Sequence, residues 1–259
     1  MTNDQLTGSA TQQTIRRRLR DFGVLLAGVV ILALTVLAFP QPLYAHHMTF
    51  GRYQVWSDRP IDAGAAQHVL DDAQLRISKS AFYSPDQQFR IFVCNDNWRL
   101  ALYSQRLSGA MGGVADGWLT RNIYLREADF ATNRLIPPSR KADMTGRSLS
   151  YYVAHEATHV MESRALGRLA VVRYPVWMME GYADYVGKGG QFDVAANIEA
   201  LKSGKPEMDP VQSGLYRRYH LAVAYSIDHK AMTAHQMFAA KTSEPSVLAD
   251  LRSDPTFGN

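Results

Sequence analysis

A chain of 259 residues, 46% hydrophobic and 20% charged, has an ordinary globular balance with room for one large domain or two small ones. Its net charge of +4 makes no case for nucleic acid: Arg16, Arg17, Arg18 and Arg20 stand against Asp4 and Asp21 in the first 21 residues, which leaves the remainder at only +2. The single cysteine, Cys94, excludes an intrachain disulfide, and its apolar setting FRIFVC predicts a small core residue rather than a nucleophile.

Residues 1 to 14 are polar, rich in Thr and Gln, and are expected to be disordered. The arginine cluster that follows precedes an uncharged run from Phe22 to Phe39, whose 18 residues would span about 27 Å as a helix, close to the hydrocarbon thickness of a bilayer. No Lys or Arg follows until Arg52, so the positive-inside bias puts residues 1–21 in the cytoplasm. The expectation is a single-pass protein of a bacterial inner membrane, anchored by residues 22–39, with residues 46–259 forming one domain that faces the periplasm or cell exterior. A cleaved signal peptide is the rival, since Leu43-Tyr44-Ala45 loosely fits a cleavage site after Pro40 and Pro42. The apolar run exceeds the usual signal length of about 7 to 15 residues and favours the anchor. The arginine pair fits a twin-arginine export signal poorly.

His46 and His47 fall in the expected linker. Alternation predicts a strand over Arg52–Ser57, an apolar stripe predicts a helix over Ile61–Phe82 with Asp62 as a possible cap, and Phe89–Cys94 reads as a second strand. A short helix is expected over Trp98–Leu107. Trp118–Arg126 again alternates, as an edge strand that an extended peptide could join through backbone hydrogen bonds, or whose Arg121 and Arg126 keep it soluble. Residues 131–147 read as a loop. Asp193–Lys202 and Gln212–Ala240 both read as helices, His229 and His235 as surface residues, and the C-terminus, with Pro245, Pro255 and Gly258, as a tail.

The most informative stretch is Tyr151–Met161, YYVAHEATHVM. On a helix begun at Ser148 or Ser150 and stopped at Gly167, His155 and His159 lie one turn apart on one face, able to grip one metal ion. Glu156 stands about 100° round from His155, beside any water the metal holds. Two His ligands with an adjacent Glu base is the zinc-metallopeptidase arrangement. A catalytic zinc needs a third protein ligand. A second helix opened by Pro175 supplies Glu180 as that ligand and Asp184, four residues on, as an acceptor for the free ring N–H of a ligand histidine. Gly181 would let the two helices approach closely.

HEATH followed by Glu180 within W-x-x-E-G-x-A-D-Y (Trp177–Tyr185) resembles the gluzincin superfamily of zinc peptidases, to which thermolysin and the membrane-alanyl aminopeptidases belong. The resemblance covers Ser148–Val186. It implies zinc held by His155, His159 and Glu180, water activated by Glu156 and a ligand His oriented by Asp184. It also implies an α+β, zincin-like fold: a small twisted sheet on the active-site helix, then a mostly helical C-terminal half. Where aminopeptidases of the superfamily carry G-x-M-E-N, this chain has Gly109-Ala110-Met111-Gly112-Gly113, so the acid that binds a free amine is missing and endopeptidase action is implied. The oxyanion donor, a Tyr or His in the helical half of such enzymes, is sought among Tyr216, Tyr219, His220 and Tyr225, with His220 first and Tyr219 second. The expected activity is hydrolysis of extracytoplasmic proteins or peptides. An inactive peptidase-like binding or scaffold protein, or a non-peptidase zinc hydrolase, are the alternatives.

Overall fold

An apolar run near the N-terminus and alternating strands beyond it become two separate units, Met1–Leu43 and Tyr44–Asn259, in the computed structural model. It describes the backbone of residues 3–104, 111–137 and 146–258, and side chains from Arg16 onward.

The first unit is helix α1, Asn3–Ala38, closed by a 3-10 turn at Gln41–Leu43. Its stretch Arg16–Ala38, 23 residues, is long and apolar enough to cross a membrane and buries nothing within the unit. A signal sequence has the same character. Residues 3 to 14, expected to be disordered, continue this helix; each residue added to a formed helix gains one backbone hydrogen bond.

The second unit is mixed α and β. In chain order it runs β1 His46–Phe50, β2 Tyr53–Ser57, α2 Ala63–Ile77, β3 Phe89–Cys94, α3 Asn97–Ser104, β4 Gly113–Ala115, β5 Asn122–Arg126, a small hairpin of β6 Ala128–Asp129 and β7 Arg134–Leu135, then α4 Leu149–Ala165. The remainder is helical: α5 Ala170–Arg173, α6 Val176–Lys188, α7 Val194–Lys202, α8 Pro210–Ser213, α9 Arg217–Ala224 with a π-helical turn at Tyr225–His229, α10 Ala234–Ala239 and α11 Glu244–Ser253.

The sheet has the order β1-β2-β3-β5-β4, with β2, β3 and β5 parallel and the outer strands antiparallel to their neighbours. Side chains alternate between its faces. Val55, Ile91, Val93, Ile123 and Leu125 join α2 and α4 in the main core. The opposite face carries an aromatic row in which His47 stacks on Trp56, Trp56 on Phe92, Phe92 on Tyr124 and Tyr124 on Tyr103, with centroids 4.4 to 5.3 Å apart. Cys94 lies there too, buried and free, 3.2 Å from the Tyr44 hydroxyl, and burial pushes its thiol up to about 12. The core reading of Cys94 stands; a thiol so placed is inert at neutral pH.

Four expectations change. His46 and His47 belong to edge strand β1 rather than a linker, because His47 gains the face of Trp56. The strand near residue 120 is interior, paired on both sides, and the outer strand on that side, among the described residues, is the short β4. Gln212–Ala240 is several helices rather than one: α8 ends at Gly214, and α10 starts afresh at a capping box of Thr233 with Gln236. The expected tail contains α11, which buries Val247, Leu248 and Leu251; Pro245 sits in its first turn, where a missing N–H costs nothing.

α4, α6 and α9 stack side by side, and glycine sets how near they come. A Cβ on Gly187 would lie 3.2 Å from the Tyr151 ring and 3.4 Å from His155 Cβ of α4. On Gly181, expected to face α4, it would lie 2.7 Å from the Tyr219 carbonyl oxygen, so this glycine serves the approach of α9 instead. Gly181→Ala is expected to push α9 outward and cost about 1–3 kcal/mol of stability, read as a lower urea midpoint with an unchanged slope.

Candidate metal centre

α4 begins where the Ser148 hydroxyl accepts the Tyr151 N–H at 3.1 Å, and it buries fourteen of its seventeen residues. Among these are His155, Glu156 and Glu162. A polar side chain in such a place needs partners, since an unpaired one costs about 1–3 kcal/mol.

Across the gap to α6, the Nε2 atoms of His155 and His159 face the same oxygen of Glu180, at 3.3 and 3.6 Å. Their rings stand at 89° with centroids 4.9 Å apart. One ligand atom from each of the three residues lies within 4.8 Å of the others, which makes this group able to share a metal ion. Burial alone would raise the Glu180 carboxyl, but the two imidazoles outweigh it and hold it well below the usual range.

The outward-facing ring nitrogens are also engaged. Glu162 Oε2 lies 2.8 Å from His159 Nδ1, and the Tyr151 hydroxyl lies 3.5 Å from His155 Nδ1. That hydroxyl donates to Asp184 Oδ1 at 2.5 Å, so its lone pairs are what it presents to the ring. Both contacts favour a proton on Nδ1 and a free lone pair on Nε2, the tautomer that binds metal through Nε2. Asp184 was expected to hold a ligand histidine directly; it reaches His155 only through Tyr151, because its second oxygen takes His220 Nδ1 at 2.9 Å and Lys188 Nζ at 3.4 Å.

Glu156 points to the sheet side, toward Gly113 and Ala115 of β4, and burial raises its pKa. Next to it, Gly112 faces Tyr152 so closely that a Cβ would sit 2.3 Å from Cε1 of the ring. An acid of the aminopeptidase kind has no room at this position. Gly109 and Ala110 lie outside the described residues.

On the opposite side, Tyr216 stacks on His155, with planes at 8° and centroids 5.6 Å apart, and burial first, then the nearby Glu180 carboxylate, raise its phenol above the usual range. His220 and Tyr219, ranked ahead of it from sequence, turn elsewhere. The His220 ring stacks on Phe192 at 3.6 Å and bonds Asp184, whereas Tyr219 lies against Arg218 beside Glu244. Tyr225 bonds Asp254, which also accepts from His229, and His235 is exposed against the Phe82 edge. Two residues escaped the sequence reading although spacing could have found them: Tyr151 precedes His155 by four and Glu162 follows His159 by three, so each shares a helix face with the histidine it serves.

No family model matches the chain, and no curated protein matches it.

Acid should weaken this centre through two groups of the same sign. Asp184 is depressed below its ordinary 3.8, burial being outweighed chiefly by His220, so its contribution is present above 3.8 and lost as pH falls below it. Burial lowers His220 below 6.5 and keeps it neutral, so the unfolded chain takes up a proton that the folded one resists once pH drops under 6.5. Buried Glu156 and Glu162, whose pKa values are raised, act in the opposite sense, so the expectation is read as a difference: urea unfolding across a pH series should show the stability of the wild type relative to Asp184→Asn falling as pH drops below 3.8. At neutral pH the substitution should cost about 1.5–3 kcal/mol.

Proposed function

We propose that the chain is a membrane-anchored zinc peptidase of the gluzincin type, with a zincin-like fold, that hydrolyses peptide bonds of extracytoplasmic proteins or peptides. The observation that carries this reading is the convergence of His155, His159 and Glu180 within 4.8 Å, with Glu156 beside them on the same helix. Two imidazole nitrogens and one carboxylate oxygen suit zinc, leave a fourth position for water, and have their outward nitrogens buttressed as metal-bound histidines require. The arginines before the apolar run of α1 support an anchor whose following domain lies outside the cytoplasm.

Zinc held there would supply a Lewis acid for the scissile carbonyl and lower the pKa of a water toward about 7. The chain's own groups do the rest. β4 is the last strand of the sheet on this side, and among the described residues no further strand pairs with it, which suits it to an extended substrate strand. Glu156 borders that strand at Gly113 and Ala115. Its carboxylate takes a proton from the attacking water and delivers it to the departing amine nitrogen; the burial that raises its pKa suits it to both acts. Tyr216, rather than His220 or Tyr219, is the donor for the carbonyl oxygen as it gains charge, since its hydroxyl already faces the three-residue group. The crowding of Gly112 by Tyr152 supports endopeptidase over aminopeptidase action.

Glu156→Gln is expected to lower hydrolysis of a peptide library by about 10²–10⁴-fold while one zinc per chain is retained; undiminished cleavage would sink the peptidase assignment. Zinc at one per chain with no peptide cleaved by the wild type would favour the binding or scaffold protein, and turnover of other substrates alone would favour a non-peptidase hydrolase. Tyr216→Phe should lower kcat about 10²–10³-fold with little change in KM, an effect His220→Gln should not match. Glu162→Gln should weaken zinc binding about 10–100-fold, read by competition with a chelating dye.

A further inference from the structure

The turn after β4, residues 117 to 120, lies among four arginines: Arg90 of β3, Arg121 just before β5, Arg164 of α4 and Arg168 just past it. Arg90 of β3 donates to the Thr120 carbonyl at 2.7 Å, and Arg168, just past α4, donates to the carbonyls of Trp118 and Leu119 at 2.5 and 2.8 Å. Arg121 bonds the hydroxyl and carbonyl of Ser163, and Arg164 bonds the carbonyl of Gln88. None of the four forms an ion pair among the described residues, unlike Arg59, Arg76, Arg99 and Arg218 of the same unit. The one acid in the turn, Asp116, spends its carboxylate on the backbone N–H groups of Trp118, Leu119 and Thr120 and on the Thr120 hydroxyl. Burial first, then Arg168 and Arg164, lower the Arg121 pKa, as expected of cations gathered without counter-charge. Among the described residues, four positive charges are thus held on carbonyls without an ion-pair partner.

Exposed apolar side chains adjoin these charges. Trp118 is 56% exposed, and Leu169, Val171 and Val172, which follow Arg168 directly, are 68%, 64% and 81% exposed. A short helix that turns two adjacent valines to solvent gains nothing in water, where burying each would be worth about 1.5–3 kcal/mol. Apolar side chains ringed by arginines, with a tryptophan at the border, match the boundary between lipid headgroups and acyl chains: the ring and aliphatic groups enter the boundary while guanidinium groups meet phosphates.

We propose that this face of the second unit docks on an anionic lipid surface, with Trp118, Leu169, Val171 and Val172 entering the headgroup boundary and Arg90, Arg121, Arg164 and Arg168 meeting lipid phosphates. A chain that carries a helix able to cross a membrane keeps such a surface at high local concentration. The partner's chemistry follows from charge complementarity, and the inference uses none of the proposed catalytic chemistry.

The test uses the full chain reconstituted in nanodiscs of phosphatidylcholine with or without phosphatidylglycerol, both lipids bearing brominated acyl chains. Bromine quenches tryptophan that enters the bilayer. The share due to Trp118 is obtained by subtracting the signal of Trp118→Phe, which retains Trp56, Trp98 and Trp177. Quenching of Trp118 is expected to be at least about twofold greater with phosphatidylglycerol than without, and to fall on raising the salt. The double variant Val171→Ser, Val172→Ser, which alters only exposed positions, should reduce it while leaving the unfolding midpoint in place. Trp118 unquenched in both compositions, as when a protein partner covers this face instead, overturns the proposal; so does equal quenching in both, or quenching that the double variant leaves unchanged.

Discussion

The structure depends on α4 having been taken out of water with its polar residues still on it. A helix with fourteen buried residues out of seventeen would be satisfied most simply by aliphatic side chains. This one carries two histidines and two glutamates through its middle, and each must find a partner or pay for desolvation. Glu180 on α6 and Tyr216 beside α9 face the histidines, Glu156 lies against β4, and Glu162 takes His159 within α4 itself. The order of packing follows: sheet edge on one side of α4, α6 on the other, and α9 against α6.

Much of this was legible from spacing alone. A helix repeats its face every three to four residues, so His155 with His159, and Glu180 with Asp184, declare themselves as pairs on two faces. Asp62 and Ser148 are readable as caps because their side chains satisfy the first free N–H groups of α2 and α4. What periodicity does not carry is which way a residue turns once its helix has docked. His220 and Tyr216 occupy adjacent turns near α9, yet Phe192 and Asp184 claim the first, and only the second reaches the His155 face. The position of the sheet edge was illegible for a related reason. Trp118–Arg126 looks like a strand by its alternation, but Asp116 gathers residues 118 to 120 into a turn, and the pairing partner β4 is only the three residues Gly113–Ala115, too short to show the alternation that marks a strand.

The two faces of the sheet divide the domain's labour. Aliphatic side chains on one side fit the ridges of α2 and α4 and thereby fix the height of α4 above the strands. Flat rings on the other side stack across the strands from His47 to Tyr103, giving the sheet cross-strand cohesion that does not draw on the helices.

The glycines at the contacts of α4, α6 and α9 act as a gauge. With no side chain between Gly187 and the Tyr151–His155 stretch, the separation of the two helices that would share a metal is fixed by main chain and ring in direct contact. Rotamer changes on distant shells cannot widen it. The spacing of the three nitrogen and oxygen donors is consequently inherited from the backbone, and sequence drift around the site is filtered at this position by size rather than polarity. An otherwise tolerant helical half would be free to diversify around a fixed opening.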